Sequence, residues 1–261
     1  MPQPSSFNTI GIPLIELQSV DSTNIYAFNR IHAGLAQHGT AVFAHEQVAG
    51  KGQRGKTWMA EKGKNIILSV IIKPNAPDIS GQFPLSACTA VAIHDFFKQY
   101  AGNDTKIKWP NDLYWQDRKA GGILIENTVV SRESGPDSYR EWSWQWAVIG
   151  IGINVNQTTF PSELHNPVSL KQITGKNFDA LELARELCTK LDFYYRKLLK
   201  NGFEKIYEEY LSCLYKRNET VKLKKDNRVF EALIKSVTPT GQLIIQHAIE
   251  ESIEFGNVEW V

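Results

Sequence analysis

Apolar residues follow two spacings along this chain. LIELQSV (14–20), GTAVFAHEQ (39–47) and NIILSVIIKP (65–74) are short runs rich in branched residues, and each predicts a β-strand. Pro74 closes the third. Between the first two, Asp21, Ser22 and Thr23 offer caps for a helix with apolar positions at Ile25, Phe28, Ile31 and Leu35. FPLSACTAVAIHDFFKQY (83–100) predicts a mostly apolar helix. KIKWP (106–110) is a short strand, and NDLYW (111–115) begins another. GGILIEN (121–127) and WQWAVIGIGINVN (144–156) read as two strands of a hairpin across the turn-like SRESGPDS. Trp142, Trp144 and Trp146 alternate with polar residues, which predicts three rings on one strand face. A nucleic-acid stacking platform needs a basic groove, and Glu133, Asp137, Arg140 and Glu141 do not supply one.

Two helices follow. The first opens at Asp179 with Glu182 three residues on, close to a capping box, and carries Leu183, Leu187, Leu191, Tyr194 and Leu198 on one stripe. The second carries Phe203, Ile206, Tyr210 and Leu214. After Lys216 the pattern becomes short, closely spaced strands (TVKLKK, RVFEALIKSV, GQLIIQH, SIEFGNVEW), the signature of a small β-barrel. A domain boundary is expected near Arg217, giving units 1–217 and 218–261. Residues 1–10 read as a loose tail.

The length, 261 residues, suits one medium domain and a small second one, each with its own core. Hydrophobic residues are 42% and charged residues 22%, which excludes a disordered chain. The net charge of +1 provides no global field for nucleic acid or an anionic membrane, so any basic site is local. Three scattered cysteines fit neither a disulfide framework nor a zinc site, and the six histidines have no ligand spacing. The N-terminus lacks a secretory pattern and no apolar run reaches a membrane span, so a cytoplasmic protein is expected.

Gly50-Lys51-Gly52-Gln53-Arg54-Gly55-Lys56-Thr57 matches the phosphate-loop pattern G-x-x-x-x-G-K-[ST]. That pattern works only between a strand and a helix whose amides face the phosphates. The segment after Thr57 is too short for a helix and ends in Gly63, which argues against the reading. A flexible, cationic glycine loop suited to closing over a phosphate or carboxylate remains, with a solvated surface loop as the alternative. Downstream, Lys108-Trp109-Pro110-Asn111-Asp112 ends a strand with an amide and a carboxylate, or is an ordinary turn. Lys119 precedes Gly121 and Gly122, so it can reach a ligand lying on the glycine backbone. Gly150 and Gly152 share one strand face, where something packs closely.

Together, Asp21-Ser22-Thr23-Asn24, the loop from Gln47 to Gly55, Lys108 to Asp112, Lys119-Ala120-Gly121-Gly122-Ile123-Leu124 and Gly150-x-Gly152-Ile153-Asn154 closely resemble biotin protein ligases, in the family's order and kind of spacing. The match runs from about residue 14 to the C-terminus. The resemblance implies an α+β fold: a mixed β-sheet with packed helices, as in class II aminoacyl-tRNA synthetases, followed by an SH3-like barrel. It implies ATP-dependent formation of biotinyl-5′-AMP, then transfer to a lysine of a biotin carboxyl carrier domain. ATP is used with Mg²⁺, and no tightly bound cofactor is expected.

By the same resemblance, Ser22, Thr23, Asn24 and Gln47 would address the biotin head. Gly50, Lys51, Gly52 and Gln53 would wrap its chain and carboxylate. Gly122, Leu124, Gly150 and Ile153 would form the slot. Lys119 would be the catalytic cation between carboxylate and α-phosphate. Arg54, Lys108, Trp109, Asn111 and Asn154 would meet the nucleotide, and Asp112 would help hold magnesium. Many members read GRGRRG where this chain reads GKGQRG; Lys51 lacks the planar fork of Arg and Gln53 lacks the charge. Only about 13 residues precede the first matching strand, so no DNA-binding domain, repressor role or nucleic-acid partner is expected. A monomer and a homodimer are both consistent with the sequence.

Overall fold

The computed structural model describes residues 8–76, 78–134 and 139–261, with side chains outside 132–142. Seven strands form one sheet: β1 (Leu14–Leu17), β2 (Ala41–Ala44), β3 (Asn65–Ile72), β4 (Thr105–Lys108), β5 (Asp112–Trp115), β6 (Arg118–Ser134) and β7 (Tyr139–Asn154). Their spatial order is β1-β2-β3-β7-β6-β5-β4, with β1 parallel to β2 and every other pair antiparallel. Helix α1 (Thr23–His32) makes the β1-to-β2 crossover that a parallel pair requires.

The strands alternate between two environments. Ile66, Leu68, Val70 and Ile72 on β3, with Ile149, Ile151 and Ile153 on β7, join the main core. That core is shared with α2 (Gln82–Ala101), α4 (Ala180–Asn201) and α5 (Phe203–Ser212). The short α3 (Leu170–Thr174) is opened by a Ser169–Gln172 capping box. On the other face, Ile71 and Val148 meet Ala27 of α1 in a small second cluster. Most of this second face stays free of helices, and the candidate site lies on it.

Five further strands, β8 (Thr220–Lys225), β9 (Arg228–Val237), β10 (Leu243–Gln246), β11 (Glu250–Ile253) and β12 (Glu259–Trp260), form an antiparallel sheet in the order β11-β10-β9-β8-β12. Separate cores were expected for the two units. The buried side chains of this sheet, Leu223, Ile234, Val237 and Leu243 among them, are instead contiguous with the main core. Among the described residues, no helix is long and apolar enough to cross a membrane.

Several local expectations need correction. Ile10 is not part of a loose tail: it is buried, and its N–H donates to Asp192 Oδ1 at 2.9 Å. Leu35 lies beyond α1 and is exposed; the buried residues of that helix are Thr23, Asn24 and Ala27. Trp144 and Trp146 do not share a face. Thr128 pairs with Trp146 and Val129 with Trp144, so Gln145 is an extra residue, a β-bulge. Trp144 packs in the main core, and Trp146 packs against the Ala27 cluster. The Trp142 side chain and the turn at 135–138 lie outside the described residues. Asp179 does cap α4, accepting from the N–H groups of Leu181 and Glu182.

Candidate functional site

The free face of the sheet has a floor of glycines. Antiparallel register sets Gly122 opposite Asp112 on one side and Gly152 on the other, and sets Leu124 opposite Gly150. Residues opposite one another share a face, so Lys108, Asp112, Gly122, Gly152 and Ile67 form one row across five strands. Ser69 lies opposite Gly150 in the next row. Each of the three glycines lies beneath a functional side chain.

Above Gly150 lies Asn24: a Cβ at 150 would fall 2.5 Å from Asn24 Oδ1. Asn24 belongs to a chain of hydrogen bonds whose direction can be deduced. A carboxylate only accepts, so Asn24 turns its amide nitrogen to Glu126 Oε2 (2.7 Å). Its oxygen then accepts from Ser69 Oγ–H (2.6 Å). Ser69 Oγ also lies 2.7 Å from Thr23 Oγ1, whose hydroxyl donates to Gln47 Oε1 at 3.2 Å. The Thr23 backbone N–H donates to Gln47 Oε1 (2.8 Å), so Gln47, not a cap side chain, satisfies this amide at the start of α1. Ser22 is the N-cap residue and is buried, yet its hydroxyl makes no cap bond. Gln47 is held here because 46–49 runs beside 20–21: Val20 N–H donates to Glu46 O, and Val48 N–H to Val20 O. Its Nε2 faces Gly50, whose missing side chain leaves the room.

Above Gly152 lies the Trp58 indole, in the space any side chain at 152 would occupy. Its N–H is buried and has no hydrogen-bond partner among the described residues. Trp58 follows the glycine loop, which folds back on itself: Gly52 N–H donates to Lys56 O, and Trp58 N–H to Gly50 O. After this turn no helix follows, so the phosphate-loop context is absent. Lys51 is exposed on the loop, and Gln53 Nε2 donates to Ile123 O at 3.3 Å.

Above Gly122 lies an ion pair, Lys119 Nζ to Asp112 Oδ1 at 2.7 Å, with both side chains partly exposed. The Lys119 backbone is fixed on its outer side by residues 166–168: Lys119 N–H donates to Asn166 O, and Val168 N–H to Lys119 O. Asn154 tightens the same join through its amide to Val168 O (3.1 Å). Asn111, after a cis Trp109–Pro110 bond, is buried and donates to Ile123 O.

Lys108 lies at the edge of the row. Its ammonium donates to Tyr114 Oη (3.1 Å) and lies over the rings of Tyr114, Trp260 and Tyr215. Burial pushes it down to about 8; the Asp112 charge opposes this, and the Lys119 charge adds to it.

The structure thus brings together Ser22, Thr23, Asn24, Gln47, Gly50, Gly122, Leu124 and Gly150, with Lys119, Asp112 and Lys108 further along the same face. Three expected residues lie elsewhere. Ile153 is corrected as a slot wall: it pairs with Gly121, one residue out of phase with the floor, and is fully buried in the helix-side core. The Trp109 indole is buried and bonds Gly241 O at 2.9 Å on the second sheet. Arg54 also points to that sheet, donating to Gly256 O at 2.7 Å. Ser69, Glu126 and Trp58 were not anticipated. Ser69 is the polar residue inside the otherwise apolar NIILSVII, and Glu126 lies two and four residues from Leu124 and Gly122, so both signals are in the sequence.

Comparison with known proteins gives likenesses of sequence and fold. The sequence profile of the biotin/lipoate A/B protein ligase family matches residues 16–135. The bifunctional ligase/repressor BirA of Escherichia coli (strain K12) is 37% identical over 112 residues, 43% of this chain and 34% of that protein. This chain therefore spans about a third of that relative's length in the match. A biotin–[acetyl-CoA-carboxylase] ligase of Paracoccus denitrificans is 28% identical over 239 residues, 88% of this chain and 92% of the relative. The biotin protein ligase from Aquifex aeolicus, solved in complex with biotin and ATP, shares the fold with a TM-score of 0.75. At 24% identity, that match covers 94% of this chain and 97% of the other.

Proposed function

We propose that this chain belongs to the biotin/lipoate A/B protein ligase family and is a biotin–[acetyl-CoA-carboxylase] ligase, activating biotin with ATP and transferring it to a carrier-domain lysine. The observation that carries this reading is the floor of Gly150, Gly152 and Gly122, lying beneath a neutral polar network, an indole and a lysine–carboxylate pair in turn. Such a surface suits a ligand with a polar neutral head, an apolar body and an anionic end.

In this reading the biotin head lies against Ser22, Thr23, Asn24 and Gln47. The Trp58 N–H, buried over Gly152 and without a partner among the described residues, is a further candidate donor to the ligand. The loop from Gly50 to Gln53 folds over the valeryl chain, with Lys51 adding charge. Lys119 neutralises charge as the biotin carboxylate attacks the α-phosphate and pyrophosphate leaves. The acceptor lysine amine then attacks the acyl carbon, and AMP leaves. No protein nucleophile is required; the side chains hold the two reactants together and keep water from the mixed anhydride.

Lys108, Asn111 and Asn154 form the nucleotide end. Among the described residues, no three His, Cys, Asp or Glu side chains converge on one point. That suits Mg²⁺ carried by the nucleotide's phosphates, with Asp112 adding one oxygen. We assign residues 1–217 to the ligand-binding unit and 218–261 to an SH3-like barrel, acting in the cytoplasm on a biotin carboxyl carrier domain.

The test is a mass-shift assay with biotin, Mg-ATP and an isolated biotin carboxyl carrier domain. One biotinyl group that requires ATP and is lost in Lys119→Ala is the expected result. A shift only with lipoate or octanoate on a lipoyl domain would move the chain to the sister activity of the same family.

A further inference from the structure

The tip of the glycine-rich loop is held from outside the ligand-binding sheet. Arg54 adopts φ 55 and ψ 40, a left-handed conformation uncommon for a residue with a β-carbon. Its Nη1 donates to Gly256 O at 2.7 Å, and its guanidinium carbon lies 5.7 Å from the centre of the Phe255 ring. Gly256 has φ +89, and its missing side chain lets the guanidinium lie against the backbone. The Phe255 ring is half exposed, yet it also meets Trp109 edge-on at 6.0 Å. The Trp109 N–H donates to Gly241 O on the same sheet. Two segments that frame the site therefore meet at Phe255: GKGQRG through Arg54, and KWPND through the Trp109 ring, which is also tied to Gly241.

We propose that Arg54 is a positioning residue, docking the glycine-rich loop onto the Phe255–Gly256 turn so that the second sheet holds the loop closed over the activated ligand. The proposal rests on the ligase reading for the identity of that ligand and on contacts within this chain for the latch. The loop's own bonds, Gly52 N–H to Lys56 O and Lys56 N–H to Gln53 O, close it only upon itself. Gln53 ties it to the floor by one 3.3 Å bond. Arg54 adds an anchor on the opposite side, and neither a carbonyl nor a phenyl ring cancels its charge.

The test uses the full chain and compares wild type, Phe255→Ala, Arg54→Ala and the double variant. Amide hydrogen exchange over residues 50–58 is read first, with no biotin or nucleotide added. Each single variant should accelerate loop exchange by roughly three- to tenfold, and the double variant no further, because both cut one latch. Unchanged loop exchange in both single variants would overturn the proposal. Arg54→Ala guards against a wider disturbance of the second sheet, which would appear as faster exchange in β9 and β10. Release of preformed biotinyl-5′-AMP is read second. Phe255→Ala should release it faster by a similar factor while forming it at the wild-type rate. Faster loop exchange with unchanged release would refute the hold on the ligand. If no variant, wild type included, forms biotinyl-5′-AMP, the biotin reading fails, and loop exchange alone decides the latch.

Discussion

Asn24 occupies the space that a side chain at position 150 would need, so the glycine at 150 and the amide at 24 are complementary. Replacing Gly150 by alanine sets a methyl carbon 2.5 Å from Asn24 Oδ1, hard against the amide's other atoms. Asn24 must then move, breaking its bonds to Ser69 and Glu126. Gly150→Ala should lower kcat/KM for biotin by about 10- to 100-fold, the usual effect of a displacement near 1 Å. Pyrophosphate release at varied biotin measures it, and an unchanged KM would remove Asn24 from the head site.

Glu126 sets the direction of the polar chain because a carboxylate cannot donate. Glu126→Gln keeps the shape but permits the Asn24 amide to turn over. Biotin affinity measured by calorimetry should fall by about tenfold, on the order of one charge-assisted hydrogen bond. A Glu126→Asp variant, still acceptor-only but shorter, should keep the direction and lose part of the affinity.

The Lys119–Asp112 pair is partly exposed, so it contributes little to stability, under about 1 kcal/mol. Under the proposed ligase reading, the same lysine faces charge that develops only during reaction. Lys119→Ala should therefore shift the urea midpoint slightly and cut adenylate formation by about 100-fold or more. Loss of both in proportion would indicate a structural lysine.

Lys108 introduces a pH dependence. Its ammonium, pushed down to about 8 by burial, is charged below that pH and loses its charge as pH rises through it. A neutral Lys108 attracts phosphates less, so KM for Mg-ATP should rise above pH 8. Lys108→Arg stays charged throughout and should flatten that rise. KM measured from pH 7 to 9.5 in both proteins tests the sign; a parallel rise would place the titrating group elsewhere.

Gln53 replaces the arginine found in many relatives. Its amide reaches Ile123 O, a neutral contact at 3.3 Å. We predict that Gln53→Arg releases biotinyl-5′-AMP more slowly than wild type, and equal rates would refute a leaky loop.

The fold was legible where local rules and burial agreed. The strand run at 65–74 and the helix at 83–100 were predicted within a few residues, because each buries an apolar face; the strand expected at 121–127 runs on to Ser134, where no apolar run announces it. Leu35 failed because α1 does not bury a full stripe; its first turn faces the site and places Thr23 and Asn24 inside instead. Ile153 failed because motif adjacency to Gly152 ignores alternation: neighbouring strand residues look in opposite directions. Arg54 reads as a free cation in the sequence, since nothing local announces a partner about 200 positions away. The site's glycines were legible as close-packing signals, but which side chain lies above each depends on tertiary register.

The bulge at Gln145 has a consequence for the hairpin of β6 and β7. The extra residue belongs to β7 alone: β6 alternates without a break from Thr128 to Val129, while on β7 Trp146 faces the floor's side and Trp144, two positions away, faces the core. Deleting Gln145 would leave Trp144 opposite Val129 in simple alternation, still turned to the core, so the extra residue sets the local bend and twist of the strand and not the face its tryptophans take.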